Sequence, residues 1–527
     1  MSTTLPAGKL AKELAGPERP HPPRWWIDTT LIALVIPLAI VARRPRYLFS
    51  HAFWLDEAWV ADSVRAPLHQ LQLLSPPTPI GWTLLLRLVP PVGPPERLRA
   101  LPLVFGVLSV VAAYLLGRQL GRVAAVAAGL AAALAPSALR NHNLKQYSAD
   151  AFVTLLLLWL TARLEAGWSR RRLAALCLAC IPAVLVSHVT VFVSAAVLGA
   201  LSVRAVVARR WERLGWLVAL GLGVAVIETA VYLAFAAAGN NAAMQRYWDQ
   251  RFVPLDQGLG PAAAFVGRGW TDALDRVGFG PWPLAAALVI AGLVALVRAR
   301  LATVALAVCL LAGELVVASA ARRYPFLEQR TSIFLTTLLT VCGALGVGSA
   351  VAWSARRRAT LPLGIAAALG AGVLLLPAAQ ANALHPMPPS TLRQQVAYVL
   401  DHRRPGDMVV VGPSARFAFA YYWPQRPTFI RTALPTGVLF QPEYPGHADL
   451  LLVHQRRRPD LVHGAFRQAA ARSSSGRVWL ILAEAGDRDA IWGQAAARAG
   501  RVARRRLPKL VLVAADADGP TSAARSP

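Results

Sequence analysis

Acid is what this chain has least of. Its 527 residues carry 27 Asp and Glu against 55 Lys and Arg, a formal net charge of +28. Lysine is scarce as well: apart from Lys9, Lys12 and Lys509 near the termini there is only Lys145, so arginine supplies nearly all the positive charge. The four cysteines, Cys177, Cys180, Cys309 and Cys342, all lie inside apolar runs. A CxxC on a helix face in lipid is a poor redox or zinc site, so these read as small packing residues. The remaining segments hold no thiol from which to build a disulfide framework. No nucleotide-binding glycine-rich loop and no internal repeat is visible. Residues 1–24 are polar and Pro-rich without an apolar signal core, predicting a disordered cytoplasmic tail. A soluble protein this basic would point to nucleic acid, but no recognition module is visible and no nucleic-acid partner is expected.

What the chain has in excess is apolar length. It is 56% hydrophobic with a mean hydropathy of +0.45, and apolar stretches recur at about the 20 residues needed to cross ~30 Å of hydrocarbon. Spans are predicted at 28–42, 99–117, 123–138, 150–164, 173–187, 189–207, 214–237, 282–297, 301–320, 332–353 and 360–380, about eleven helices. The fold class is therefore a polytopic α-helical membrane protein. With the N-terminus inside, every inside turn is short and Arg-rich: Arg118 and Arg122, Arg170–Arg172, Arg209 to Arg213, Arg298 and Arg300, Arg356–Arg358. The outside loops, 43–98, 139–149, 238–281 and 321–331, are longer and mixed. Arg43, Arg44, Arg46, Arg322 and Arg323 fall outside against the rule, and anionic lipid headgroups or a lipid phosphate would account for them.

Beyond residue 384 the pattern changes. "DMVVVG" (407–412), "VWLILA" (478–483) and "LVLVAA" (510–515) read as buried strands, with 414–422 and 486–500 of helical composition. This predicts a small α/β domain over 385–515, placed outside by the odd number of spans, then a disordered tail over 516–527. Residues 25–384 form the transmembrane domain.

Candidate chemistry gathers in the outside loops. Asp56 and Glu57 stand in "HAFWLDEAWVADS" (51–63), and adjacent carboxylates point to different sides of a helix or strand, so the two need not share a role. One can serve as general base while the other orients a substrate or a cation. The alternative is an interfacial helix capped by acids, with Trp54 and Trp59 in the aromatic belt. A Pro-rich turn and a short amphipathic helix follow, "SPPTPIGWTLLLRLV" (75–89), too short to span. The second loop offers His142, Lys145, Tyr147 and Asp150 as donors, cation and acid; equally, Lys145 snorkels and Asp150 caps a helix. His188 sits in a tight outside turn, where a polar turn residue is the alternative. "RRYPFLEQR" (322–330) sets Arg322, Arg323 and Arg330 around Tyr324, Phe326 and Glu328, suited to a lipid phosphate, or else an Arg-anchored interfacial hairpin. Glu228 and Glu314 lie within apolar runs, where an ionisable group faces the bundle interior.

Together these features resemble the GT-C superfamily of membrane glycosyltransferases, in particular the bacterial relatives of protein O-mannosyltransferases and of the aminoarabinose transferase that modifies lipid A (glycosyltransferase family 39-like). The likeness covers roughly residues 25–380. It is carried by the first-loop acidic pair with its Pro-rich turn, by "ERLRALPLVFGVLSVVAAYLLGRQLGR" (96–122), by "LKQYSADAFVTLLLLWL" (144–160) and by "RRYPFLEQRTSIFLTTLL" (322–339). The family's "RLPS" reads "RALPL" here, at 99–103. The resemblance implies inverting transfer of a sugar, hexosyl or pentosyl, from a polyprenyl-phosphate donor to a cell-envelope acceptor (glycan, lipid or protein) at the outer face of a bacterial plasma membrane. It implies Asp56 as general base and Glu57 as second member of the pair. Lys145 and Asp150 would contact acceptor or donor phosphate, Arg330 with Arg322 and Arg323 would hold the carrier phosphate, and His188 would be a lesser contact. It makes no cofactor a requirement; a divalent cation, Mg or Mn, near the acids stays open. A transporter or flippase of a lipid-linked sugar is the alternative, but it should keep charges near the midplane and show paired halves, which this chain does not.

Overall fold

The computed structural model describes residues 25–74, 78–90, 93–140, 143–357, 361–384, 390–431, 440–453, 459–483, 501–504 and 510–514. The expected disordered tails, His142 and the expected helix at 486–500 lie outside these residues.

All eleven expected spans are helical. Eight are by themselves long and apolar enough to cross a membrane: Trp25–Ala42, Pro95–Gly117, Arg122–Arg140, Thr190–Val207, Trp211–Gly239, Ala302–Ala320, Ile333–Arg356 and Leu361–Ala381. The other three are Tyr147–Ala166, which carries Asp150, Arg163 and Glu165; Arg170–Val186, which opens on three arginines; and Trp282–Arg298, apolar but only 17 residues long. At 1.5 Å per residue, 17 residues reach about 26 Å, marginal for the hydrocarbon core. The chain is a multi-pass membrane protein.

Ile333–Arg356 is the central helix, with 89% of its apolar window buried. Small residues let its neighbours approach, as expected where lipid offers no hydrophobic driving force between helices. A side chain on Gly292 would sit on the carbonyl of Cys342, and one on Gly346 would meet the backbone of Gly292 and Leu288. The two helices therefore touch backbone to backbone. At the end bearing the short Arg-rich turns, Arg118 and Arg122 both reach Asp28, at 2.9 and 3.3 Å, which ties the first span to the second and third.

At the opposite end the first loop folds into short helices. Pro45–Ser50, Leu55–Arg65 and Ile80–Arg87 lie between the first two spans. The C-terminal domain packs on them. Its sheet runs β4 (Leu450–Leu452), β1 (Met408–Val411), β5 (Arg477–Ile481), β7 (Leu510–Ala514), β6 (Arg501–Arg504), parallel across the first three strands and antiparallel across the rest. A small hairpin joins β2 (Thr428–Arg431) and β3 (Phe440–Glu443). Strand alternation divides the core in two. Met408, Val410, Val478 and Leu480 meet Phe466 and Ala469 of helix Pro459–Arg472. Val409, Val411, Trp479 and Ile481 face the other way, into one continuous core with Phe53, Trp59, Trp82 and Leu98 of the first loop.

That shared core revises the aromatic-belt reading of Trp59. Its ring stacks on Phe417 at 5.9 Å and meets Phe440 edge-on at 5.6 Å, so it anchors the C-terminal domain. Hydrogen bonds reinforce the docking. Tyr422 accepts from the Phe53 N–H at 2.8 Å and donates to buried Glu96, which also pairs with Arg393 at 2.8 Å.

Arg43 departs from expectation as well. It is 3% exposed, inside the bundle rather than among headgroups, and donates to the carbonyls of Ala39 and Ala133.

Candidate active site

Helix Leu55–Arg65 starts at Trp54, whose extended backbone lets the chain enter the first turn with two acids at the positive end of the helix dipole. One helical step, about 100°, separates the two carboxylates, and the fold sends them to different places.

Glu57 turns inward and is 2% exposed. Its Oε1 accepts from Arg99 Nε at 2.8 Å and from the Leu144 N–H at 3.0 Å, and its Oε2 is paired with Arg99 Nη2. It also reaches back to the Trp54 N–H at 3.4 Å, as a residue three places into a helix can. Arg99 in turn donates to the carbonyls of Leu48 and His51. Glu57 thus ties the first loop, the second loop and the start of the second span into one knot, behind the site.

Asp56 turns outward, into a cavity of about 1700 Å³. Its Oδ2 accepts from Arg330 Nη1 at 2.9 Å and lies 3.3 Å from Lys145 Nζ. Three segments from distant parts of the sequence meet on one oxygen atom. Burial is the largest single influence on Lys145 and works against its charge; the Asp56 carboxylate, joined by Tyr147, pulls the other way, and the ammonium pKa lies above the ordinary lysine value. Lys145 also lies over the Trp59 ring, 5.5 Å from its centroid.

Arg330 is held from behind by Glu328. That carboxylate accepts from the backbone N–H of Arg330 and of Thr331, both at 3.0 Å, and lies 3.5 Å from Arg330 Nε. Two residues in the left-handed region, Arg322 at φ 56° and Leu327 at φ 46°, bend this loop. The Tyr324 hydroxyl closes the turn by donating to the Thr331 carbonyl at 2.7 Å. Burial pushes that hydroxyl well above the ordinary tyrosine pKa, so it remains a neutral donor. Arg322 lies at the rim, paired with Asp249 of the third loop.

Of the residues singled out from sequence, Asp56, Lys145 and Arg330 form the centre. Tyr147, Asp150, His188 and Tyr324 lie in the cavity wall, with Arg322 and Arg323 also lining it. Glu57 and Glu328 stand behind this wall. Glu228 lies further along the cavity, where Ser194 Oγ donates to it at 2.7 Å.

Sequence reasoning missed several contributors. Arg416 and Phe417 of the C-terminal domain line the cavity, as do Arg246, Tyr247 and Trp248 of the third loop. Only Arg99 had a visible signal, inside the quoted 96–122 stretch.

From this polar end the cavity continues as an apolar groove between Thr190–Val207 and Trp211–Val231, along Val191, Leu198, Leu217, Leu222 and Phe235. Val226 of the second helix and Leu233 just beyond it are exposed and lie outside this lining.

A divalent cation does not fit the acids described. Asp56 faces two cations, Glu57 is occupied by Arg99, and among the described residues no three His, Cys, Asp or Glu gather as a metal site.

No family model matches the chain, and no curated protein matches it by sequence. Solved structures do match in fold. ArnT from Cupriavidus metallidurans in the apo state aligns with a TM-score of 0.54 at 12% identity, over 93% of this chain and 97% of that one. The same protein bound to undecaprenyl phosphate aligns with 0.52 at 13% identity, over 93% and 98%. The oligosaccharyltransferase of Archaeoglobus fulgidus, in complex with Zn and sulfate, aligns with 0.50 at 14% identity, over 86% and 68%. The chain has the GT-C fold.

Proposed function

We propose that this GT-C-fold chain is a membrane glycosyltransferase that moves a sugar from a polyprenyl-phosphate carrier to a hydroxyl of a cell-envelope acceptor, inverting the anomeric centre. The observation that carries the reading is the position of Asp56: a carboxylate in the cavity wall, between Lys145 and Arg330, where the polar end meets an apolar groove. The groove suits an isoprenoid chain, and the cations suit its phosphate. The binding of undecaprenyl phosphate by the similar-fold ArnT supports this choice.

Asp56 accepts the proton of the acceptor hydroxyl as that oxygen bonds to the anomeric carbon. The carbon–oxygen bond to the carrier breaks, and the phosphate leaves with the bonding electrons. Lys145 and Arg330 are placed to receive its growing charge, with Arg322 and Arg323 nearby at the rim. An arriving donor phosphate competes with Asp56 for the same two cations and so frees the carboxylate to act as base. The donor already carries the energy of transfer, so what remains is to align acceptor oxygen, anomeric carbon and leaving phosphate. The Arg-rich short turns lie at the opposite end of the bundle, which supports an extracytoplasmic site in a bacterial plasma membrane.

Purified protein given polyprenyl-phosphate sugars and envelope acceptors should transfer sugar, and Asp56→Asn should lower the rate by about 10²–10⁴-fold, as for loss of a general base. Equal rates in the two proteins would remove Asp56 from the chemistry. Movement of the lipid-linked sugar across a vesicle membrane without transfer would identify a flippase instead.

A further inference from the structure

A second, much smaller cavity lies inside the bundle, and Tyr147 lines both. We propose that it is a binding site for one monatomic anion, chloride under cellular conditions. Its volume is about 20 Å³, and its polar lining is Arg43, Ser109, Tyr147, Ser148 and Thr337. Arg43 donates through Nη1 to the carbonyls of Ala39, at 2.9 Å, and Ala133, at 3.4 Å. Among the described residues its Nε has no partner, and neither do the hydroxyls of Ser148 and Thr337. Arg43 is 3% exposed and Thr337 1%. Among the described residues no carboxylate lies within ion-pair distance of Arg43, whose bonds all go to neutral carbonyls.

Size restricts the occupant. A cavity needs roughly 10–15 Å³ of such volume to hold one water-sized particle, so this one takes a single water or a single monatomic ion. Phosphate, sulfate and sugars are too large. Charge separates the two remaining candidates. A guanidinium buried without a counter-charge is costly, because its desolvation is not repaid by an ion pair. Water solvates that charge, whereas a halide also neutralises it, and the unpartnered Nε and hydroxyls in the lining are all donors that suit an anion. This also accounts for an arginine on the side of the membrane where positive charge is disfavoured.

The test is thermal unfolding of the full chain in detergent, in sodium chloride, sodium bromide and sodium gluconate at equal ionic strength, together with anomalous diffraction from crystals grown in bromide. At about 150 mM halide the midpoint should rise by ~2 °C over gluconate, and a bromine peak should lie beside Arg43 Nε. Arg43→Leu should abolish the halide dependence, and Thr337→Val should reduce it while keeping the charge. An unchanged wild-type midpoint, the same shift in both variants, or no peak in the cavity would overturn the proposal in favour of water. Should Arg43→Leu fail to fold, Thr337→Val combined with Ser148→Ala and the wild-type bromide map decide the matter.

Discussion

At the scale of residues, two adjacent acids have parted company. Asp56 faces the cavity with two cations on one oxygen, and Glu57 is buried against Arg99. Glu57→Gln leaves Arg99 buried without its counter-charge, a loss of about 3–5 kcal/mol. A large drop in the unfolding midpoint should accompany whatever activity is lost. Asp56→Asn, at a group 17% exposed, should lower transfer by about 10²–10⁴-fold with a much smaller change in midpoint. Equal midpoint losses in the two would refute this division. His188 provides a pH prediction. Burial lowers its pKa from the ordinary 6.5 to about 4. Above pH 6.5 the imidazole is neutral folded or unfolded and contributes nothing. As pH falls from 6.5 towards 4 the unfolded chain binds the proton first, so stability declines across that window. Midpoints measured from pH 7 to pH 4 should fall less steeply in His188→Asn than in wild type.

At the scale of elements, Trp282–Arg298 meets Ile333–Arg356 backbone to backbone through Gly292 and Gly346. In a helix, Gly→Ala ordinarily stabilises by about 0.5–1 kcal/mol. Gly292→Ala should do the reverse, because its new methyl falls on the Cys342 carbonyl, whereas Gly313→Ala, with open space around it, should be neutral or stabilising. Thermal midpoints of the two variants distinguish these outcomes. The loop 321–331 is legible as basic and aromatic, and the structure adds its bend at two left-handed residues and its clamp by Glu328 on two backbone amides. Nothing in "RRYPFLEQR" announces which acid supports and which arginine reaches across to Asp56.

At the scale of the whole molecule, the first loop and the C-terminal domain share one core, so the site is partly built by a domain that sequence reasoning left without a role. Trp59→Ala removes the ring that stacks on Phe417 and underlies Lys145. It should cost about 3–5 kcal/mol of stability and raise the KM for acceptor or donor by a larger factor than it lowers kcat. A kinetic split in the opposite sense, with kcat alone reduced, would show that the domain contact acts on the chemistry directly.

Apolar run length made the helices and the membrane fold class legible without coordinates, because hydrocarbon thickness acts on local stretches of chain. Three strands of the C-terminal domain, β1, β5 and β7, were legible for the same reason, because a buried β-strand is a short apolar run; β2, β3, β4 and β6 were not. What only the tertiary structure decided is which charges meet. Asp56, Lys145 and Arg330 are brought to one oxygen atom by three separate loops, Arg99 is spent on Glu57, and Arg43 is taken into the bundle. Partner choice between charges depends on distances across the fold, and a linear pattern records spacing along the chain alone.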